Sequence, residues 1–394
     1  DLTAADWEFN DYSLNTVDGG SINLTAKGGL DLPTINSSGG LNVVAKGHVT
    51  QRNNSSLKIA EQSSFALEGG NLSINKEGNV FNGLVWVSGA ESARLATGGD
   101  LKFGGGEGIM AIAETLEVSA KNIGQSSAIK VAGETALSAD DNITLDGENQ
   151  LSMLKINKAK TAKINNSQTL MLGEIKVTNR LDIAVVGDLT QRSALNVNRL
   201  VLNVSGVTSL AEIGNQINVL SGTIAGGEIA TNGMLRLGEF NQDELSLTGR
   251  TTITAYEVDV DNPVLLRVGA TLTLNDIGNF TLSRGFKGED AKVNSVTVNG
   301  GGNNGTYTIS QNASWEDVKL VFNGAGSGEK LKIEKDGPVI VALSADAISN
   351  ESPGRFLVAL NIETIEARSG STNTLIGASS SPDGYEWTIN GRNE

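Results

Sequence analysis

The stretch Leu30–Arg52, LDLPTINSSGGLNVVAKGHVTQR, contains the pattern that decides the fold. Leu30 and Leu32 are apolar residues two positions apart, and the segment LNV that begins at Leu41 repeats this spacing. A polar corner that contains glycine separates the two segments, and a second corner leads into the segment VTQ. A spacing of two places alternate side chains on one face of a strand, so the stretch predicts short strands joined by tight turns.

The same pattern recurs along the chain at a nearly constant interval. Ser21–Gly28 (SINLTAKG) is followed 19 residues later by Gly40–Gly47 (GLNVVAKG), and Glu117–Ala120 is followed at the same interval by Ala136–Ala139. Recurrence at a fixed length is typical of proteins in which each repeat stacks on the one before it. More distant copies of one line, GHVTQR and GDLTQR, begin at positions 47 and 187.

A repeat with three short strands predicts one turn of a parallel β-helix, with about 20 residues per turn. Val, Leu, Ile and Ala would point inward, and Gly, Asn, Ser and Asp would form the corners. We therefore expect an all-β solenoid over residues 1–285 and a less regular β-rich region over 286–394, which continues the helix or forms a small subdomain. The pattern loosens between 84 and 113, which predicts a loop at one corner. A leucine-rich repeat is disfavoured because its leucine ladder and fixed Asn are missing.

Composition restricts the partners. The chain carries 30 Lys and Arg residues against 45 Asp and Glu residues, a formal net charge of −15. Nucleic acids and anionic membrane surfaces bind basic patches, so we expect binding to neither. The sequence has no apolar run long enough to span a membrane, so we also expect no membrane insertion. The absence of cysteine excludes disulfides and thiolate metal sites. Because the chain starts within the repeat pattern and shows no signal segment, we expect it to be part of a longer protein.

Leu30–Gln51 resembles the repeat line L-x-L-x-x-I…G-G-x-L-x-L-x-A-x-G-x-[I/V]-T-Q of filamentous-haemagglutinin-type exoproteins, the large adhesins of two-partner secretion. The resemblance implies a right-handed parallel β-helix, a secreted or bacterial cell-surface location, and an outer-membrane secretion or anchor partner. The Asn-Pro-Asn-containing motifs of the family's secretion domain do not occur in the sequence, so the resemblance implies an internal or C-terminal segment. Thr372–Gly377 and Tyr385–Gly391 resemble another unit of such exoproteins, with Asn373 where Asp is usual.

Catalysis is one alternative, since parallel β-helices include polysaccharide hydrolases and lyases. Such hydrolases need clustered Asp residues, a His between glycines and an Arg-x-Lys pair. The single histidine, His48, corresponds to Asp188 in the distant copy, which favours an exposed corner. The acidic pair Asp140–Asp141 is also best explained as a solvated turn. We predict no catalytic residue and no enzymatic activity, because no nucleophile–base set can be assembled.

Glu257, Asp259 and Asp261 are spaced by two and therefore project from one face of a strand. Like charges in this arrangement repel unless a cation lies between them. A calcium site is one interpretation of the three carboxylates, and a plain acidic strand face is the favoured one. We predict no other cofactor.

Four aromatic residues fall mostly outside the regular repeats and are candidates for ligand binding: Trp86, Trp315, Tyr385 and Trp387. An exposed aromatic face can stack on the apolar face of a sugar ring. Trp86 is the first candidate because the repeat loosens around it. Packing in a core or capping an end of the coil is the alternative role, which we favour for Trp7 and Trp387.

These features predict a non-enzymatic extracellular adhesin segment that mediates cell-surface, cell–cell or biofilm-matrix adhesion. Its expected partners are cell-surface or matrix glycans or host receptors, contacted through side faces and loops. A β-helical polysaccharide lyase or hydrolase is one alternative function, and it would require an acidic groove with a basic catalytic residue. The stalk of a contact-dependent toxin-delivery exoprotein is the other.

Overall fold

A computed structural model describes residues 2–4, 13–239, 241–290, 292–335, 337–343, 356–368 and 373–376. Over these ranges the regular secondary structure consists of β-strands without a helix. The chain divides into two compact units, Asp1–Asn198 (unit 1) and Arg199–Glu394 (unit 2).

The strands of the first half, together with the strand that contains the unit boundary, are β1 Leu2–Ala4, β2 Ser13–Asn15, β3 Ile22–Ala26, β4 Leu30–Leu32, β5 Thr34–Ser37, β6 Leu41–Ala45, β7 Val49–Gln51, β8 Leu57–Ile59, β9 Ser63–Leu67, β10 Asn71–Asn75, β11 Val80–Phe81, β12 Val85–Ser88, β13 Ala90–Ala96, β14 Leu101–Phe103, β15 Met110–Ala120, β16 Ile123–Gln125, β17 Ile129–Ala139, β18 Asn142–Asn166, β19 Leu170–Val185, β20 Leu189–Gln191 and β21 Leu195–Val204.

The remaining strands belong to unit 2 and are β22 Thr208–Leu210, β23 Gln216–Ile224, β24 Gly227–Ala230, β25 Met234–Leu237, β26 Leu245–Leu247, β27 Arg250–Thr254, β28 Glu257–Val260, β29 Val264–Leu266, β30 Thr271–Ile277, β31 Asn279–Leu282, β32 Gly285–Gly288, β33 Ser295–Gly300, β34 Thr306–Ile309, β35 Ser314–Glu316, β36 Lys319–Asn323, β37 Lys330–Ile333, β38 Ile340–Ala342, β39 Phe356–Leu360, β40 Thr364–Ala367 and β41 Thr374–Ile376.

Each of the early turns of unit 1 adds one parallel strand to each of three faces. The first face stacks β3, β6, β9 and β12, the second stacks β4, β7, β10 and β13, and the third stacks β5, β8 and β11. Ile22 pairs with Leu41 and Glu117 pairs with Ala136, so the 19-residue interval in the sequence is one turn of the coil. The prediction of an all-β parallel β-helix is confirmed.

Alternation of side chains builds the interior. In β6, Leu41, Val43 and Ala45 are buried, whereas Asn42 is exposed between them. In unit 2, the same alternation along β31 places Phe280 and Leu282 in the interior. Apolar burial of this kind is the main favourable term in folding, and it fixes the register because a slip of one residue would turn every apolar side chain outward.

Unit 2 also has three stacked faces. Its first face contains β24, β27, β30, β33, β36 and β39, its second contains β25, β28, β31, β34, β37 and β40, and its third contains β26, β29, β32 and β35. The strand at Gly285–Gly288 pairs with both of its neighbours on the third face, so the described part of 286–394 continues the solenoid. Turns are longer here, since Asn275 and Asn299 stand 24 residues apart in adjoining turns.

Buried asparagine side chains stabilise corners of unit 1 through hydrogen bonds. Asn79 is fully buried, and its Oδ1 accepts hydrogen bonds from the Leu57 backbone N–H at 2.9 Å and from the Gln51 side chain at 2.7 Å. Its Nδ2 donates to the Gln51 Oε1 at 2.9 Å and to the backbone oxygens of Ile74 and Ala96 at 3.3 and 3.2 Å. Each polar atom of the amide therefore has partners, as a buried polar group requires.

A second clamp of the same design lies in a later turn. Asn149 is fully buried, accepts the Ile129 N–H at 2.9 Å, and donates to the Leu145 backbone oxygen at 3.0 Å. It exchanges side-chain hydrogen bonds with Gln125 at 3.1 and 3.0 Å. The glutamine that ends a strand, as in the VTQ segment, thus pairs with an asparagine of the following turn.

Candidate functional site: the Tyr256 column

The predicted ligand-facing residue Trp86 is buried, with 8% of its surface exposed. The loop expected between 84 and 113 is confined to residues 104–109, and it folds back over the indole. A Cβ added to Gly106 would lie 2.1 Å from the indole Cε2, so the glycine backbone rests directly on the ring. Gln62 fixes the loop by donating to the Gly105 backbone oxygen at 2.9 Å. The open ring face that sugar stacking requires is therefore missing at Trp86.

Trp315 is fully buried, and its Nε1 donates to the Phe356 backbone oxygen at 3.0 Å. It belongs to the interior of unit 2, which corresponds to the packing role considered above. The other predicted aromatic residues, Trp7, Tyr385 and Trp387, lie outside the described residues.

The acidic residues Glu257, Asp259 and Asp261 are partly buried on or next to β28. Burial raises the pKa of the Asp259 carboxyl, the Ser283 hydroxyl lowers it by donating at 2.6 Å, and the charge of Asp261 raises it further. The neighbouring strand places Arg236 opposite Asp259. Within the described ranges, no three His, Asp or Glu side chains are arranged to hold a metal ion.

Of the corner residues that were considered for catalysis, His48 and Asp140 are exposed, as expected, and Asp141 is partly exposed. His48 is at the surface, and its Nδ1 accepts the Asn71 backbone N–H at 3.0 Å. Asp140 pairs with Lys158 at 2.8 Å in the next turn, and Asp141 pairs there with a second lysine. Exposed ion pairs of this type contribute little to stability, typically about 0–1 kcal/mol each.

Tyr256 is a surface residue that the sequence analysis did not single out. Its side chain is 63% exposed, and it is the one aromatic residue with an open ring in the part of the chain that the structure describes. It lies at the corner between β27 and β28 and directly precedes the acidic strand. The protein has few aromatic residues, so a large ring that is exposed at this corner is a candidate contact for a ligand.

The register of the second face aligns Tyr256 with corner residues of later turns. Glu257, at the start of β28, pairs with the first residue of β31, and the same pairing continues through β34 and β37. The residues that precede these strands therefore form a column, which we call the Tyr256 column: Tyr256, Gly278, Gly305 and Glu329. The large side chain of Tyr256 thus stands in the same column as two glycines, which have no side chain.

Gly278 is the residue on which the Tyr256 ring rests. A Cβ at this position would lie 2.7 Å from the ring Cε2 and 2.9 Å from Cζ, closer than real side chains approach. The Gly278 N–H donates to the Tyr256 backbone oxygen at 2.8 Å and fixes the two turns against each other. This part of the ring is therefore held against the backbone of the next turn.

Glu329 fills the corresponding space at the other end of the column. A Cβ at Gly305 would lie 2.3 Å from its Oε2, and Glu329 is fully buried. The Glu329 carboxylate and the Tyr307 hydroxyl are buried beside each other. Burial, reinforced by the nearby Glu329 carboxylate, raises the pKa of the Tyr307 phenol.

A ladder of asparagine side chains runs along the same set of corners. Asn299 donates to Asn275 at 2.9 Å, Asn323 donates to Asn299 at 3.3 Å, and Asn361 donates to Asn323 at 2.9 Å. Unlike the clamps of unit 1, these amides are partly or fully exposed. The corners next to the Tyr256 column therefore present a continuous row of amide groups to solvent.

Comparison with known proteins identifies repeats and assigns no activity. Residues 19–88 and 90–154, about a third of the chain, match a family described as repeats of unknown function (DUF5649). No curated protein and no solved structure matches the chain. The Tyr256 column lies outside the matched residues. The described ranges hold no helix with the length and apolarity of a membrane span.

Proposed function

We propose that the chain is a non-enzymatic segment of an extracellular adhesin of the two-partner-secreted type, which attaches cells to surfaces, to one another or to a polysaccharide matrix. One observation carries this proposal. Outward polar side chains recur at the same position turn after turn, as in the series Thr252, Thr273 and Thr297 on the first face of unit 2.

Such a surface repeats at the spacing of neighbouring strands, about 4.8 Å. A polysaccharide or a dense glycan coat also repeats along its length, so one surface can make many similar weak contacts with it. Linked weak contacts raise the overall affinity well above that of any single one. The resemblance of Leu30–Gln51 to haemagglutinin-type repeats supports the same function.

Attachment of protein-coated beads tests the proposal. Beads that carry the purified chain would be passed over bacterial layers, epithelial cells and polysaccharide-coated surfaces, and detachment would be followed as flow increases. Beads coated with an unrelated acidic protein of similar net charge serve as the control. We expect the chain to hold beads on at least one of these surfaces. The proposal fails if attachment equals that of the control beads on all of them.

A parallel assay separates adhesion from catalysis. The same chain would be incubated with neutral and uronate polysaccharides, and new reducing ends and unsaturated products would be measured over time. We expect neither to form above the buffer control. Sustained product formation that scales with protein concentration would replace the adhesin by a β-helical hydrolase or lyase.

A further inference from the structure

We propose that Tyr256 is a stacking platform for neutral polysaccharides. This inference rests on the proposed function and specifies a binding site and a ligand class for it. The Cε2–Cζ part of the ring lies against Gly278, and Tyr256 is 63% exposed. The open part of the ring is therefore presented to solvent in a fixed position.

The geometry suits a ligand with an apolar face and a polar edge. A ring that is already held against backbone loses little freedom when a ligand packs on it, and this lowers the entropic cost of binding. The axial C–H groups of a hexose form an apolar face that can pack on an aromatic ring, while the hydroxyls at its edge remain free to form hydrogen bonds.

The turn that carries Gly278 also carries exposed polar side chains. Asp276 precedes Gly278 by two residues and Asn279 follows it directly, and both are exposed. Carboxylate and amide groups can accept and donate hydrogen bonds to sugar hydroxyls. Asp276 has a positive φ of 60° and lies near the end of β30, where the pairing of this strand with β33 is irregular.

The charge around the ring selects among polysaccharides. Glu257, Asp259 and Asp261 follow Tyr256 directly, and Asp276 lies in the next turn. These carboxylates would repel the uronate groups of an acidic polymer, because like charges brought together weaken binding. A neutral polymer such as a glucan, mannan or galactan meets no such repulsion.

The test is affinity electrophoresis of the full chain through gels that contain dextran, galactomannan or xyloglucan, with alginate and pectate gels for comparison. We expect at least one neutral polymer to retard the wild-type chain. Tyr256→Ala should weaken that retardation at least about tenfold, the loss of one good contact. Tyr256→Phe should retain most of it, because the ring face is preserved.

Gly278→Ala tests the geometry without removing the ring. The added methyl group would occupy the space of Cε2, so the ring must move and binding should weaken. Val268→Ala is the matched control, since this side chain is 66% exposed at another corner of unit 2. Thermal melting of each variant establishes that it is folded.

The proposal is overturned if Tyr256→Ala migrates like the wild type in every gel, if only uronate polymers retard the chain, or if no neutral polymer does. Bead attachment distinguishes this failure from failure of the adhesin function. If neutral polymers do not retard the chain but beads coated with Tyr256→Ala still attach, the chain is an adhesin that uses another face. Retardation that depends on Tyr256 without any bead attachment supports the glycan site and contradicts the adhesin function.

Discussion

Asparagine has two different environments in this chain: buried corner amides, which occur in both units, as at Asn79 and Asn215, and a partly exposed row along the corners of unit 2. In unit 1, Asn79 is sealed in the interior, where its amide closes a corner through hydrogen bonds to backbone and to Gln51. In unit 2, the partly exposed amides of Asn275, Asn299 and Asn323 form a row along the corners and bond to one another. The buried amide is needed to fold a turn, whereas the exposed row remains available to a ligand.

Asn79→Asp should produce the largest effect. The substitution replaces the side-chain NH₂ group, a donor, by an oxygen. This oxygen would face three acceptors: the backbone oxygens of Ile74 and Ala96 and the Gln51 Oε1. A buried carboxylate facing acceptors should cost about 3 kcal/mol or more. Urea denaturation monitored by circular dichroism measures the loss. Asn71→Asp, on an exposed position, is the control, and equal effects of the two substitutions would refute the clamp.

Asn323→Ala should be milder. It removes two ladder bonds, to Asn299 and from Asn361, and leaves their groups open to water. We expect a loss of about 1 kcal/mol in the free energy of unfolding of unit 2. Thr273→Ala on the same outward face is the control. A loss as large as that for Asn79→Asp would show that the exposed ladder, too, is essential for folding.

Gly106→Ala should act locally. Its methyl group would overlap the Trp86 indole, so the loop at 104–109 must lift from the ring. Hydrogen–deuterium exchange should become faster in that loop, while the amides of β12 and β14 keep their protection. At Gly99, an added Cβ meets nothing closer than 3.7 Å, so Gly99→Ala is the control. Unchanged exchange at 104–109 would contradict the packing of the loop on Trp86.

Asp259→Asn should give the smallest effect, and one that depends on pH. The carboxyl has a raised pKa, chiefly through burial, so the folded state binds its proton more tightly than the unfolded state. Stability therefore falls as pH rises from the ordinary pKa of aspartate, about 3.9, through the folded value. The Asn variant, which keeps the Ser283 contact, should be slightly more stable than the wild type near neutral pH.

Thermal melting from pH 3 to pH 8 measures this difference. The gain should shrink towards zero as pH falls below the ordinary aspartate pKa, because both proteins are then neutral at residue 259. Asp188→Asn, at a surface corner of unit 1, is the control for a general change in net charge. A gain that grows as pH falls would contradict the assigned cause.

The sequence predicted the solenoid because its core is local and periodic. A spacing of two within strands and of 19 residues between copies is enough to place Ile22 beside Leu41. The surroundings of the Trp86 and Trp315 side chains were not predictable in the same way. Trp86 is covered by the loop at Gly106 in the next turn, and no periodic position marks a loop that folds back. Trp315 is an inward position of β35, and its Nε1 bonds to the backbone of Phe356, which lies 41 residues later.

Tyr256 was missed for a related reason. Its significance depends on the register, which aligns it with Gly278 and Gly305 although the turns differ in length. An alignment of the turns in which the first residues of their strands are matched would have placed the tyrosine and the two glycines in one column. The buried Asn79 was also invisible, because an asparagine at a corner reads as a surface residue until its partners are known.

Removal of surface glycans tests the central claim most directly. Beads coated with the full chain would be applied to cells before and after enzymatic stripping of neutral surface glycans, and the fraction that resists flow would be counted. We expect strong attachment to untreated cells and a large loss after stripping, and the attachment that remains should be insensitive to Tyr256→Ala. Attachment that is unchanged by stripping, or that never exceeds that of control beads, would contradict it.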